Sequence, residues 1–563
     1  MFWSIATALA GFAPGYRTLL AARTAVGIGE ASFGTVSPGL LADFFPREWR
    51  GRVLSWFYLA IPVGSALGYL LGGGAQHRPP QHRDRQRNGG GYMSRVKLLN
   101  FISVFVLLFF STAYADTYIP IDSLLYNDFR LLEAEGLITT SQLATLPISR
   151  LEGARLTAEA LNNAATGNSP RIDRILARLQ KEFVRELDND KTACLKPDTA
   201  NLQYVYSDGK SFFAQKNRDG VEVRRGNSAF LDLTSRFDSR YVGLVVKPEL
   251  NIYDDTTQFT LKKAYLLANV DREEFMVGKE SAWWGPGQNG SILLSTNAEP
   301  LTTLKISNSG PYFPFGIGVR GTFFITQLEN DRKDVRRPIL HGIRLDFKPT
   351  SFIEFGLSRT AMFGGKGRKE DFATFARSFF VVGENDPGEP GDQRAGYDVK
   401  IVLPWRPQPA TLYLDAAGED QRHSLPSKWF YLYGIYLPRV LSLSRLELWG
   451  EYAANYDSTY PGVWYTHHVY TQGYTYNERI IGHYIGSDAK DLFLQSRYNF
   501  DAATVTVSYE RLQKLFPVNF TRENYQVTVL KQLTDETRLT FSAGYSREAS
   551  KNIMTQIALR HEF

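Results

Sequence analysis

Cysteine is nearly absent from this chain, which has a single cysteine, Cys194, among 563 residues. A disulfide framework within the chain is therefore excluded. The formal net charge of +6 is modest for this length, and part of it comes from one short basic segment, so the composition indicates no nucleic-acid partner. A mean hydropathy of −0.25 is typical neither of a helical membrane protein nor of a disordered chain.

The sequence also lacks the short motifs of common hydrolases, since neither a nucleophile elbow nor a His-Glu-x-x-His helix occurs in it. An outer-membrane lipase or protease, the enzyme alternative, would need a nucleophile with a base beside it. Serines are many, and the candidate bases are His423, His467, His468 and His483. His467 and His468 fall in a strand-like aromatic run, which would point them to opposite faces and keep them from sharing a metal ion. We expect no enzymatic activity, no cofactor and no metal site.

One apolar run, residues 98–110, is preceded by Arg95 and Lys97 and followed by Ala113-Tyr114-Ala115. A basic start, an apolar core of roughly 7–15 residues and a small-x-small exit are typical of a secretory signal peptide. A spanning helix, the alternative, needs about 20 apolar residues. Residues 93–115 are thus predicted to be a signal peptide, with Ala113 and Ala115 forming the cleavage site.

Residues 1–74 have a different character from the rest of the chain. Two apolar stretches, 19–42 and 53–74, are rich in small residues that let membrane helices pack closely. Together with Arg23, Glu30 and a basic loop between the stretches, they resemble the spinster-like branch of the major facilitator superfamily. The resemblance implies a fragment of about two transmembrane helices, without the second half that alternating access requires.

The segment 75–92 is basic, ends in three glycines and shows no apolar periodicity, so it is predicted to be a disordered junction. A cytoplasmic loop between the two helices of residues 1–74 would leave both their ends outside. The signal peptide, however, needs its basic start inside. We therefore take Met93 as the functional start and the first 92 residues as a fusion or an over-extended reading frame.

Between Asp116 and about Leu187 apolar residues recur at helical spacing. A capping box at Ser149 begins one helix, Ser169-Pro170 begins another, and an earlier helix ends at Gly136. These short amphipathic helices should pack together instead of crossing a bilayer. Residues 116–227 are predicted to be a small periplasmic helical region and its linker.

From Ser228 to Phe563 the apolar period changes to two, as where Ile343, Leu345 and Phe347 alternate with charged residues. Turns are very short in places, as at 534–537, and long and polar in others, as at 364–371. This asymmetry is typical of outer-membrane barrels. At roughly 18–20 residues per strand with its loop, we expect about 16–18 strands, closed so that no edge meets lipid. A soluble all-β protein is the alternative.

Two strings of residues carry a family resemblance. Residues 283–291 read WWGPGQNGS and continue to Pro300, and residues 465–476 read YTHHVYTQGYTY and continue to Gly486. With the helical region before the barrel, they resemble the capsule-assembly family named Wzi. The resemblance implies a mainly β fold, an outer-membrane barrel with a periplasmic helical bundle. It also implies a protein that binds capsular polysaccharide and helps to fix it at the cell surface, without being an enzyme.

The residue types in these strings suit carbohydrate, because aromatic faces pack on C–H groups and amides bind hydroxyls. The candidate carbohydrate-binding residues are Trp283, Trp284, Gln288, Asn289, Asn297, Tyr474, Tyr476 and His483. Alternatively, the two tryptophans are girdle residues at the membrane interface and the glycines form a tight bend. Basic residues such as Arg344 and Lys348 could attract an acidic polysaccharide or simply line the lumen.

The predicted function is that of an outer-membrane lectin that binds capsular polysaccharide and assembles or anchors the capsule. Its expected partners are the polysaccharide, outer-membrane lipid and, during biogenesis, the barrel assembly machinery, whose recognition signal the terminal Phe563 resembles. We expect a monomer. A general or sugar-selective porin is the main alternative, and an open or plugged lumen would discriminate the two. A transporter that rests on residues 1–74 is the weaker alternative.

Overall fold

The computed structural model describes Ala113–Tyr114 and residues 116–563, except for 165–168, 191, 210–215, 240–241, 271, 380–390, 406, 423–424, 458 and 460. All described residues belong to the unit that spans Met93–Phe563. The predicted transmembrane fragment, the basic junction and most of the predicted signal peptide lie outside the described residues, as does His423. Ala113 and Tyr114 form a short antiparallel strand pair with Val270 and Asn269. Cleavage of the signal peptide after Ala115 stays a prediction.

Eighteen antiparallel strands of the described chain form one closed barrel. They are β1 Cys194–Ser207, β2 Gly226–Asp238, β3 Gly243–Tyr253, β4 Thr257–Val270, β5 Glu273–Glu280, β6 Leu301–Asn308, β7 Gly318–Gln327, β8 Ile339–Thr350, β9 Ile353–Phe363, β10 Asp392–Leu403, β11 Ala410–Arg422, β12 Leu425–Leu437, β13 Leu446–Ala454, β14 Ala489–Asn499, β15 Ala503–Lys514, β16 Phe520–Gln532, β17 Thr537–Arg547 and β18 Lys551–Glu562. The strand count confirms the predicted range.

The barrel closes where β18 pairs with β1, from Met554 opposite Ser207 to Glu562 opposite Thr199. The first strand begins at Cys194, so the boundary predicted at Ser228 is wrong. A bulge near Pro197 interrupts the start of β1 and conceals its alternation in the sequence. Closure gives each of these strands a neighbour on both sides, so that no strand edge meets lipid.

The two faces of the barrel differ as the sequence predicts. On β8, Leu345 is exposed on the outer surface, whereas Arg344 and Asp346 are buried inside. The same outward apolar exposure recurs at Leu202 and Phe541. An apolar exterior around a charged interior is typical of a barrel in a bilayer and not of a soluble β sandwich, whose core is apolar.

The described residues before the barrel form four helices, α1 Leu125–Ala134, α2 Arg150–Asn163, α3 Pro170–Glu182 and α4 Val184–Leu187, and α5 Phe372–Phe379 lies in the loop after β9. Among the described residues, no helix combines the length and hydropathy needed to cross a bilayer. The predicted helix start at Ser149 is confirmed, because its Oγ accepts a hydrogen bond from the Glu152 N–H. The Glu152 side chain pairs with Arg155 instead of completing a capping box.

The helices lie at the end of the barrel where the turns are short. Arg174 of α3 pairs with Asp501 at 3.3 Å, and Lys181 pairs with Glu536 at 3.3 Å. Glu135, just after α1, accepts a hydrogen bond from Arg439 at 2.9 Å. The long loops are therefore at the opposite end of the barrel.

Candidate functional site

Two long loops fold into the barrel and pack on each other, and we call residues 281–300 and 461–488 together the plug. The Tyr474 hydroxyl donates to the Leu293 carbonyl at 3.0 Å. The Ser295 N–H donates to the carbonyl of Ile481 at 3.0 Å. The two strings that carry the family resemblance are therefore one structural unit, although more than 160 residues of chain separate them.

Each loop of the plug contributes a glycine that the other loop contacts closely. A Cβ atom on Gly290 would lie 2.1 Å from Nε2 of His483, and one on Gly482 would lie 2.1 Å from the Ile292 carbonyl oxygen. Glycine is required at both positions because any side chain would push the loops apart. Packing inside the plug thus explains these two glycines of the sequence motifs.

The barrel wall holds the tip of the first loop through one carboxylate. Glu451 on β13 accepts hydrogen bonds from the backbone N–H groups of Gln288 and Asn289, at 2.5 and 3.0 Å. It also accepts one from the Tyr413 hydroxyl at 2.6 Å. Hydrogen bonds to a charged, buried acceptor are stronger than neutral ones, so Glu451 fixes the loop tip against the wall.

Trp283 and Trp284 lie inside the barrel, so the interpretation of them as membrane-girdle residues is wrong. Trp283 packs in the core of the helical segment and donates its indole N–H to the Gly287 carbonyl at 3.0 Å. Trp284 makes an edge contact with Phe324, their ring centroids 5.4 Å apart. Tryptophan is suited both to a membrane girdle and to the interior of a plug, so the sequence pattern alone does not discriminate between the two locations.

The other candidate residues are brought together by the plug. Asn289, Asn297, Tyr474 and His483 are buried, and Gln288 and Tyr476 are half-buried. Most of the set therefore lacks an open face on which a sugar ring could stack in this conformation, and their contact with carbohydrate stays a prediction. Their observed contacts are structural: Asn297 donates to the Ile480 carbonyl at 2.9 Å, and Asn289 donates to the Tyr484 hydroxyl.

Burial has an electrostatic consequence at His483. Desolvation, with a smaller contribution from the positive charge of Lys216, lowers the pKa of the His483 imidazole to about 3. The side chain is therefore neutral across the physiological range. It packs on Tyr484 and Phe430, with ring centroids 4.6 and 5.4 Å away.

His467 and His468 are not in a strand, which corrects their predicted orientation. They lie in turns of the plug, and their rings are adjacent, with centroids 4.3 Å apart. The backbone turns sharply here, with a positive φ of 61° at Tyr465. Among the described residues, no group of three or more acidic, histidine or cysteine side chains is arranged to hold a metal ion.

Three basic residues of the lumen, Arg344, Lys348 and Lys400, are already paired with carboxylates. Arg344 lies 2.8 Å from Asp346 and 2.6 Å from Asp398. Lys348 and Lys400 both reach Glu133 of α1 at 2.9 Å. Arg344 and Lys348 therefore line the lumen and are not available to attract an acidic polymer.

The Glu133 cluster joins the helical segment to the barrel. Burial alone would raise the pKa of the Glu133 carboxyl, but Lys348 and Lys400 lower it to about 2. Lys400 also pairs with Glu354 at 2.6 Å, and Glu354 accepts the Ala144 N–H at 3.0 Å. The charges balance within this buried cluster, which docks α1 in the lumen.

Comparison with known proteins decides the family. A family model described as Capsule assembly protein Wzi matches residues 198–558. The chain belongs to the Wzi capsule-assembly family. This match confirms the resemblance inferred from the two strings of residues. A second family model, Major Facilitator Superfamily, matches residues 1–77 and confirms the resemblance inferred for the N-terminal segment.

Among solved structures, Wzi of Escherichia coli matches with a TM-score of 0.64 and 21% identity over 79% of this chain and 99% of that chain. That protein is described as an outer-membrane protein involved in group 1 capsule assembly and a carbohydrate-binding β-barrel. At this identity the likeness shows that the two share a fold.

Curated relatives fall into two groups. A Klebsiella pneumoniae protein described as an uncharacterized 55.8 kDa protein in the cps region is 28% identical over 332 residues, 57% of this chain and 62% of the relative. Human spinster homolog 1 is 52% identical over 73 residues, 13% of this chain and 14% of the relative. The chain thus spans less than two thirds of the length of each.

The loop end of this Wzi-family barrel carries exposed basic side chains that sequence reasoning did not single out. The basic loop surface consists of Lys333, Arg336, Arg337 and Lys366, all exposed. Its two loops contact each other, since the Lys366 N–H donates to the Arg336 carbonyl at 2.8 Å. The only signal for this surface in the sequence was the high charge of the long loops.

Proposed function

We propose that this protein is an outer-membrane lectin that binds capsular polysaccharide and helps to assemble or anchor the capsule at the cell surface. The observation that carries the proposal is the plug, because the two family motifs lie inside the barrel and pack against its wall. A filled lumen favours a role in binding at the loop end over a role in diffusion. Family membership and the fold shared with the Escherichia coli carbohydrate-binding barrel support it.

The polymer would be held at the basic loop surface. Arg336, Arg337 and Lys366 are exposed cations in two adjacent loops, and they attract an acidic polysaccharide without the desolvation cost that buried groups impose. Lys333 lies beside them but pairs with the exposed Glu478 at 2.9 Å. A repeating polymer engages such a surface many times, so weak single contacts add up to strong retention. We assign no reaction to the chain.

The same proposal predicts the orientation of the barrel in the outer membrane and its route of assembly. Long loops face the exterior in outer-membrane barrels, so α1–α4 would lie on the periplasmic side. Phe563 directly follows β18 with its side chain exposed, and its N–H donates to the Asp198 carbonyl at 3.1 Å. An exposed aromatic at the end of the last strand is compatible with recognition by the barrel assembly machinery. The monomeric state stays a prediction.

Deletion of the gene in its native capsulated host tests the proposal. The deletion strain should make the polymer but release more of it into the medium, and the wild-type gene should restore retention. A parallel measurement addresses the porin alternative, because purified protein in planar bilayers should give little current through a plugged lumen. Unchanged capsule retention together with large, steady currents would favour the porin.

A further inference from the structure

We infer that the lumen contains a subsite for one neutral sugar unit, in a cavity of about 320 Å³ between the plug tip and strands β13–β16. The inference rests on the proposed function, because the sugar unit would be the end or a branch of the capsular polysaccharide. The site itself is separate from the basic loop surface. It is lined by Lys216, by the plug tip and by inward side chains of the four strands.

The cavity exists because the plug fills the lumen unevenly. Inward side chains of β7–β12, which we call the packed wall, are buried almost throughout. Along β14–β18, the open wall, many inward side chains are half-exposed, among them Gln495, Ser508 and Gln526. The plug therefore leaves space beside the open wall.

The polar groups in the cavity are suited to a ligand that both donates and accepts hydrogen bonds. Within the described residues, the side-chain amides of Gln288, Gln495 and Gln526 have no hydrogen-bond partner. Asn524 is 2% exposed, and its Oδ1 also lacks a donor, although its Nδ2 donates to Glu510 at 2.7 Å. Sugar hydroxyls supply both the donor and the acceptor that such amides require.

The charges at the cavity favour a neutral sugar. Lys216 pairs with Glu510 at 2.7 Å and also donates to Oδ1 of Asn289 at 2.9 Å. Arg497 lies 3.6 Å from Glu447. Because both cations already face carboxylates, a sugar carboxylate would be desolvated without gaining an unpaired cation. A uronic acid is therefore disfavoured relative to a neutral hexose.

Size limits the ligand to one ring or slightly more. Sites for small molecules begin at about 300 Å³, so a cavity of about 320 Å³ takes a terminal or branch unit and not a stretch of polymer. Phe493 and the edge of Trp449 give the cavity an apolar side on which sugar C–H groups can pack. The amides and these rings together form the two kinds of surface that a pyranose presents.

Calorimetry on the purified full-length protein in detergent tests the subsite. The probes are D-glucose, D-galactose, D-mannose and L-rhamnose, with D-glucuronate as the charged comparison. At least one neutral sugar should bind with a dissociation constant of about millimolar, typical of so small a ligand. Ser508→Phe should abolish this binding by filling the cavity, and Gln526→Leu should weaken it about fivefold to tenfold.

Gln556→Leu is the matched control, because Gln556 is also a half-exposed inward glutamine but lines a different cavity, on β18. It should bind the sugar like the wild type. Resistance of the folded band to sodium dodecyl sulfate before boiling establishes that each variant has folded. If no neutral sugar binds, if glucuronate binds equally well, or if the folded Ser508→Phe variant still binds, the subsite is refuted.

Failure of the subsite is distinguishable from failure of the proposed function. Capsule retention in cells reports on the proposed function and is measured on the deletion strain. Monosaccharide binding reports on the cavity alone, and it is measured on the wild-type protein and on the Ser508→Phe variant, in which it should be lost. A strain whose capsule is lost on deletion, but whose protein binds no monosaccharide, would keep the proposed function and overturn the subsite.

Discussion

The packed wall and the open wall of the same barrel use different chemistry. The packed wall carries buried charges in closed clusters, such as Arg344 with Asp346 and Asp398. The middle of the open wall carries uncharged amides and hydroxyls that are half-exposed, such as Gln526 and Gln556. Buried charge demands fixed partners, so it locks the plug and α1 in place. Uncharged polar groups tolerate solvent, so they leave room for a ligand.

The largest expected effect comes from breaking a charge cluster on the packed wall. Arg344→Met would leave the buried carboxylates of Asp346 and Asp398 uncompensated, a change that typically costs about 3–5 kcal/mol. Gln526→Met on the open wall removes a half-exposed amide without a protein partner and should cost less than about 1 kcal/mol. Thermal unfolding of both variants in detergent measures the difference. Similar losses would mean that the two walls do not differ in the way described.

The next effect is a pH dependence of the plug. The folded-state pKa of His483, about 3, is below its unfolded value of 6.5. The unfolded chain therefore binds more protons between these values, and the contribution of neutral His483 to stability is lost as the pH falls from about 6.5 towards 3. Glu133 loses its contribution in the same direction, below about 4.5. Asp116 acts in the opposite direction, since burial raises its carboxyl pKa to about 8.

His483→Gln isolates the histidine contribution, because glutamine is polar but does not titrate. The unfolding temperature of this variant should fall less between pH 7.5 and pH 5 than that of the wild type. The comparison within one pH interval cancels the contributions of Glu133 and Asp116, which both proteins share. Parallel curves for the two proteins would show that His483 is not the group that titrates.

A smaller effect is expected where the plug loops meet. Gly290→Ala places a methyl group against His483 and should destabilise the plug by about 1–3 kcal/mol, the usual cost of overpacking. The loop tip would shift and change the cavity beside Gln288. Gly316→Ala serves as the control for added methyl groups, since a Cβ there would meet nothing within 4 Å, although its positive φ of 79° adds a small strain. Increased current in planar bilayers, with the control unchanged, would support the role of this contact.

Much of the fold could be predicted from local pattern, because a strand between lipid and a wet lumen must alternate. The helix caps at Ser149 and Ser169 were equally local signals, and both are observed. The plug has no such signal, since the approach of Gly290 to His483 joins segments that are far apart in sequence. Trp283 and Trp284 show the consequence, because their burial depends on loops that no periodicity describes.

The smallest effect on stability, but a measurable one on function, is expected at the basic loop surface above the packed wall. Lys366→Glu with Arg336→Glu reverses two exposed charges and should change the free energy of unfolding by less than about 0.5 kcal/mol each. Retention of an acidic capsule should nevertheless fall several-fold at low salt, and the difference from the wild type should shrink as salt is added, because screening removes the attraction.

Lys531→Glu reverses an exposed charge at the helical end of the barrel and is the matched control. Monosaccharide binding in the cavity should be unchanged in the loop variants, since the cavity is lined by β13–β16 and the basic loops follow β7 and β9. Equal retention by the loop variants and the control would place polymer binding elsewhere on the barrel.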